Sequence, residues 1–210
     1  MTIRVVFLVD GFNLYHSIVD IARYCNGLNL KWLNISSLCK SYLHLIDKHA
    51  VTESIYYFSA LAYHLHDRDV ISRHEMYIKC LRETGVKEQL SKFKRKTIHL
   101  SHGGTITRHE EKETDVAIAS KMFEVFFCNE CDTVVLMTGD TDIAPAVKTA
   151  KHLFPDKSIM FAFPYRRKNA ELAQMAPGSF TMHTRSYIQH QFPDPLTLSD
   201  GATIPKPSGW

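Results

Sequence analysis

Short apolar runs that alternate with amphipathic stretches predict an α/β fold, with a mostly parallel sheet covered on both faces. Two observations carry this. Residues 3–9 and 133–138 are nearly continuous apolar runs, as buried strands require, and each ends at acids: Asp10-Gly11-Phe12-Asn13 and Gly139-Asp140-Thr141-Asp142. Between such runs lie stretches with apolar residues three and four apart, the period of a helix with one buried face. A chain of 210 residues, 45% hydrophobic and 22% charged, suits one compact domain or a domain with an appendage.

Residues 3–9 read as the first strand. Over 14–24, Leu14, Ile18, Ile21 and Ala22 have helical spacing, and Asn26-Gly27 breaks the helix. Ser36-Ser37 predicts the cap of a helix over 37–47, with Leu38, Tyr42, Leu45 and Ile46 inward. Residues 53–60, rich in Ile, Tyr and Phe, read as the second strand. Residues 67–84 read as a helix stopped by Gly85. Residues 86–90 and 93–100 read as two strands, with a turn at Gly103-Gly104. A helix over 111–128 has the stripe Val116, Ala119, Phe123 and Phe126. Strand 133–138, helix 142–153 and strand 157–163 follow, and Pro164 ends the last. Residues 168–175 suggest a helix, and 181–188 fit a short edge strand or a helix. From Phe192 the chain carries Pro193, Pro195, Pro205 and Pro207, which predict an irregular tail with Trp210 docked on the body. The expected division is a folded domain over 1–191 and a packed tail over 192–210.

The net charge of +3 permits nucleic-acid binding only if the cations cluster. No apolar segment approaches the roughly 18 residues that span a bilayer. The first apolar run reaches Asp10 at once, so no signal peptide is expected. Five cysteines, an odd count, read as reduced thiols in a cytoplasm. Cys128-Asn129-Glu130-Cys131 has CxxC spacing, but a zinc site wants a second pair. His64-Leu65-His66 and His99-Leu100-Ser101-His102 are only loose candidates, so two buried thiols are expected instead.

In open α/β sheets, ligands bind at the carboxyl ends of strands. Carboxylates gathered there repel one another unless they hold a cation, and hard cations such as Mg2+ or Mn2+ take oxygen ligands. At a third place in the chain, Asp115 follows Glu110-Glu111-Lys112-Glu113-Thr114 beside the apolar stripe. A helix that begins at the carboxyl edge of the sheet would aim it toward Asp10 and Asp140. Each acid also has a simpler reading. Asp115 suits a helix macrodipole, Asp142 an N-cap, and Asp10-Gly11 a tight turn. Those readings together need three separate element ends to carry acids by chance.

The segments Val9-Asp10-Gly11-Phe12-Asn13-Leu14, Glu111-Lys112-Glu113-Thr114-Asp115-Val116 and Thr138-Gly139-Asp140-Thr141-Asp142-Ile143-Ala144-Pro145 resemble, in order and spacing, the NYN domain in its LabA-like form, within the PIN/FEN-like nucleases. Residues 157–175 and 196–210 are similar to the family's late strand and helix and its closing segment. Thr138 stands where the family often has Ser, and Glu113-Thr114 where it often has a small residue and Val. The resemblance implies a three-layer α/β/α sandwich, PIN-like, and metal-dependent cleavage of RNA. It carries the acidic site onto Asp10, Asp115, Asp140 and Asp142, and matches Asn13 to the family's first motif.

The expected activity is therefore that of a metal-dependent ribonuclease, an endoribonuclease acting on single-stranded RNA with Mg2+ or Mn2+. Asp10 and Asp140 are the expected main ligands, with Asp115 and Asp142 completing the set or acting through water. Asn13 and Thr138 would orient a water or phosphate, and Lys112 would neutralise a phosphate oxygen. Lys92-Phe93-Lys94-Arg95-Lys96 and Arg166-Arg167-Lys168 offer backbone contacts through Lys92, Lys94, Arg95, Arg166 and Arg167. Each run also fits a solvated face. A membrane partner is not expected, and a homo-oligomer is left open. Two alternatives stand beside this. One is a non-catalytic RNA-binding or regulatory protein that retains a metal site. The other is a haloacid-dehalogenase-like phosphohydrolase, which needs a second Asp where this chain has Phe12.

Overall fold

The computed structural model describes residues 2–61, 63, 67–100 and 104–210, and within these the side chains at 92, 94–100 and 106–112 lie outside the description. At the centre stands β1 (Ile3–Asp10). Its alternation feeds two cores: Val5, Phe7 and Val9 face one helical layer, while Val6 and Leu8 face the other. A strand covered on both faces must be apolar on both, which is why this run lacks polar alternation.

The chain first builds one half of the sheet. After α1 (Gly11–Tyr24) and α2 (Ile35–Ser41), β2 (Ala50–Ala60) pairs parallel to β1. Next, α3 (Arg68–Glu83) crosses to β3 (Val86–Leu100), parallel to β2, and β4 (Gly104–Lys112) returns antiparallel along β3. The chain then crosses to the other side of β1. There α4 (Thr114–Phe127) leads to β5 (Thr133–Met137), α5 (Ala144–Leu153) to β6 (Ser158–Phe163), and α6 (Ala170–Met175) to β7 (Phe180–Thr181), all parallel. Among the described residues the order is β4-β3-β2-β1-β5-β6-β7. The direction of winding thus reverses between β1 and β5, and a crevice opens at such a switch point.

Helices α1, α2 and α3 cover one face, with Leu14, Ile18, Ile35, Leu38 and Leu81 in that core. Helices α4, α5 and α6 cover the other, with Ile118, Met122, Val147 and Leu172 buried. The result is the three-layer α/β/α sandwich expected. The last helix, α7 (Thr184–Gln189), and the short pair β8 (Leu196–Thr197) and β9 (Thr203–Ile204) close the chain. Phe192 N–H donates to Trp32 O (2.9 Å), and Trp210 packs edge-on against Tyr77 (5.6 Å). No described helix is long and apolar enough to cross a membrane.

Several expectations are corrected. Residues 86–100 form one strand, not two: its first part pairs with β2 as far as Ser91, and from Lys92 onward it pairs with β4. Glu111 and Lys112 end β4, so α4 starts later than predicted, after Glu113 turns through a left-handed φ of 81°. The buried face of α4 is Ile118, Met122, Val125 and Phe126, while Val116 is 68% exposed. Apolar residues surround most of that helix, so periodicity alone does not select the face. Asn34, rather than Ser36-Ser37, caps α2, its Oδ1 accepting from Ser37 N–H at 2.9 Å. A short 3-10 turn follows, and Leu45 is exposed. Residues 181–188 hold both the end of a strand and a helix. Cys131 is buried, but Cys128 is exposed. His64, His66 and His102, and the side chain of His99, lie outside the described residues.

Candidate active site

Asp10 ends β1 and caps α1, its Oδ1 accepting from Asn13 N–H at 3.0 Å. Only 5% of the residue is exposed. The other carboxylate oxygen accepts from the hydroxyl of Thr138 (2.8 Å), just past the end of β5. That hydroxyl in turn accepts from Asp140 N–H at 3.1 Å. The amide oxygen of Asn13 accepts from Gly139 N–H at 3.1 Å. The β1–α1 turn and the loop after β5 are therefore cross-tied at the switch point.

Two glycines are fixed by space. A β-carbon on Gly139 would lie 1.9 Å from Arg167 O, and one on Gly11 would lie 2.5 Å from Phe58 O. Asp140 caps the 3-10 turn Thr141–Ile143 by accepting from Asp142 N–H at 3.1 Å. From the opposite layer, Asp115 enters in the first turn of α4.

These pieces surround a pocket of about 290 Å3 whose wall includes Asp10, Asp115, Asp140, Glu113, His16 and Arg167. Arg167 is already engaged, with Nη2 2.7 Å from Asp20 Oδ2. The carboxyl of Asp115 is pushed up to about 6, first by burial and then by the charges of Asp140, Asp10 and Asp142. Burial also raises Asp10, against the hydrogen bonds from Asn13 and Thr138 and with a further push from Asp140. The site thus disfavours its own negative charge.

Carboxylates whose charge is disfavoured by burial and by one another fit a hard divalent cation. Among the described residues, no three His, Cys, Asp or Glu side chains stand close enough to enclose an ion unaided. Mg2+ keeps several of its waters and needs only one or two direct carboxylates, so the donor set suits it.

The structure brings Asp10, Asp115 and Asp140 to one pocket. Asp142 is exposed and lies outside its lining, although Asp115 feels its charge. Asn13 lines the pocket, while Thr138 is buried beneath it, and the oxygens of both hold the acid-bearing loops. Arg166 sits instead over the Tyr24 ring, 4.1 Å from its centroid, with a left-handed φ of 59°. The side chains of Lys92, Lys94, Arg95 and Lys112 lie outside the described residues. Sequence reasoning passed over His16 and Thr114, which also line the pocket. His16 lies three residues beyond Asn13 on α1, a spacing that puts both on one helix face and offered a signal.

Comparison with known proteins bears on the fold and the family. A solved protein of unknown function from Vibrio parahaemolyticus superposes with a TM-score of 0.60 at 15% identity, covering 87% of this chain and 94% of that one. At that identity the likeness is one of fold. A "putative UDP-N-acetylglucosamine 2-epimerase" from Listeria monocytogenes aligns at a TM-score of 0.40 and 12% identity, over 89% of this chain and 41% of that one, and carries no argument. No curated protein matches the chain. The family model of the NYN domain matches residues 4–182. NYN domains are PIN-like and generally nucleases, and nucleases of this group commonly use divalent metals. With that match spanning both halves of the sheet, the chain belongs to the NYN domain family.

Proposed function

We propose that this chain is a ribonuclease that hydrolyses phosphodiester bonds of single-stranded RNA with the help of Mg2+ or Mn2+. The carrying observation is the pocket of acids at the switch point, where burial and mutual repulsion raise Asp10 and Asp115. One or two of these acids, Asp10 and Asp140 first, would hold the ion directly, with Asp115 and Asp142 acting through its waters. When bound, such an ion lowers the pKa of water and offsets charge on phosphoryl oxygens.

The remaining roles belong to the chain itself. Thr138 fixes the carboxylate of Asp10 and the backbone of Asp140 together, and Asn13 holds the loop at Gly139. Arg167, steered by Asp20, and His16 meet the phosphates of the strand from the pocket wall. Arg166, Lys112 and the basic run with Lys92, Lys94 and Arg95 guide the strand farther out. Residues 1–191 form the nuclease domain and 192–210 a tail that packs on it. Cleavage would leave a 5′-phosphate and a 3′-hydroxyl.

The test is cleavage of end-labelled single-stranded RNA with Mg2+ or Mn2+ by wild type, Asp10→Asn and Asp140→Asn. Wild type alone should cut. A wild type inert across metals and substrates would leave a non-cleaving RNA-binding protein. Variants as active as wild type would mark the activity as foreign.

A further inference from the structure

Next to the acid pocket lies a second cavity, of about 370 Å3, and Phe12 lines both. It opens at the carboxyl end of β2, where Ser59 and Ala60 finish the strand, between α1 and α3. Its volume falls within the range of sites that enclose small organic groups, roughly 300–1,000 Å3.

Three kinds of group converge there. Aromatic rings come first. Phe12 and Phe93 meet edge to face at 5.6 Å, Tyr15 is 45% exposed, and Trp210 reaches in from the tail. Cations come second: Lys31 lies 6.0 Å from the centroid of the Tyr15 ring, and Arg73 lines the wall from α3. Polar groups that are not charged come third. Ser59 supplies a hydroxyl, and burial favours the neutral ring of His74, against the charge of Glu75; a neutral imidazole offers one donor and one acceptor nitrogen.

Flat apolar rings with a donor–acceptor pair suit a nucleobase, and cations beside them suit its phosphate. A purely apolar ligand would leave Lys31, Arg73 and His74 without a purpose. Adjacency to the acids supplies the rest of the argument, because Phe12 lines both pockets.

We propose that this cavity holds one base of the RNA strand, stacked on Tyr15 and the Phe12–Phe93 pair, with its phosphate facing Lys31 and Arg73. Its placement beside the scissile bond rests on the ribonuclease reading. A base held here fixes the register of the backbone, so the phosphate in the acid pocket is presented in one orientation.

The test uses the whole chain in EDTA, where no turnover occurs. Trp210 lines the cavity, so titration with adenosine 5′-monophosphate should change tryptophan fluorescence saturably. Ribose 5-phosphate, which lacks the base, should bind at least about fivefold more weakly, and Tyr15→Ala should weaken nucleotide binding by a similar factor. Arg73→Ala should weaken both ligands. Tyr15 is exposed, so that variant keeps its fold, checked by an unchanged melting curve.

Equal binding of nucleotide and sugar phosphate overturns the proposal, as does nucleotide binding untouched by Tyr15→Ala. Occupation by a hydrophobic dye that the nucleotide does not displace overturns it in favour of an apolar ligand. The two readings fail separately. RNA cleavage without nucleotide binding removes the base site and keeps the nuclease. Nucleotide binding with these preferences, but without cleavage under any metal, supports the cavity and removes the nuclease.

Discussion

At the amino end of β1, Arg4 grips Asp132 through Nη2 at 2.9 Å and Nε at 3.2 Å, and Lys157 stands 3.7 Å from the same carboxylate. At the carboxyl end, Asp10 meets Asp115 and Asp140, and the arginine in the wall is already paired with Asp20. Both groups join β1 to the segments flanking β5, and their electrostatics are opposed. The hydrogen bonds from Arg4 hold the carboxyl of Asp132 down at about 2, while burial and repulsion push Asp115 up to about 6. One end of the strand spends its acids on holding the fold. The other gathers acids whose charge burial and mutual repulsion disfavour, a pattern that clusters at functional sites.

Substitution at the two ends should separate these roles most sharply. Asp10→Asn or Asp140→Asn should lower metal-dependent RNA cleavage by roughly two orders of magnitude or more, since the charge they provide is worth several kcal/mol. Asp132→Asn should leave the rate near wild type and lower Tm. An equal loss of rate from Asp132→Asn would erase the distinction.

Gly139→Ala should come next. Its β-carbon would run into the Arg167 carbonyl, so the loop must move, at a cost of about 1–3 kcal/mol in stability with loss of cleavage. Denaturant unfolding beside the cleavage assay checks both.

Acidity should act in opposite senses at the two ends, read as Tm against pH in EDTA. Asp115 is raised from 3.8 to about 6, so its contribution to stability is present below about 4 and is lost as pH climbs through 6. Asp115→Asn should therefore gain on wild type by a few degrees above pH 6. Asp132 is lowered from 3.8 to about 2, so its contribution is present above about 4 and is lost as pH falls through 2. The deficit of Asp132→Asn should vanish in strong acid. With Asp115 in its proposed role at the metal, its proton must leave on binding, so Mn2+ affinity should also fall by up to about tenfold per unit below pH 6, measured by calorimetry. Affinity flat from pH 7 to 5 would remove Asp115 from that role.

The smallest effect belongs to Arg166. Its guanidinium already lies over Tyr24, so Arg166→Ala should weaken RNA binding only a few-fold and reduce the slope of log affinity against log salt by about 1. An unchanged slope would take Arg166 out of the strand path.

The sequence carried the element types well where patterns were strong. The runs that became β1, β5 and β6 are apolar on both faces and end at acids or proline, so their edges were legible to within a residue or two. The face of α4 was not, because Val116, Ile118, Met122 and Phe123 offer more than one apolar stripe and only packing against β1 and β2 selects between them. The length of β3 was missed for a related reason. Polar residues 91–92 look like a break until β4 takes over the pairing that β2 leaves off. In the site, the acids at strand and helix ends could be marked in advance. That the hydroxyl of Thr138 reaches Asp10, 128 residues away, could not.

Taken alone, the chain determined its periodicities, its strand ends and the residues standing at them, because each follows from hydrogen bonding and side-chain burial within a few neighbours. The tertiary structure decided that β5 docks beside β1 rather than beyond β3, and so that Asp10, Asp115 and Asp140 share one pocket. Strand order is a choice among distant pairings with similar local patterns. It is settled only when both faces of the sheet are covered at once, which no short stretch of sequence can express.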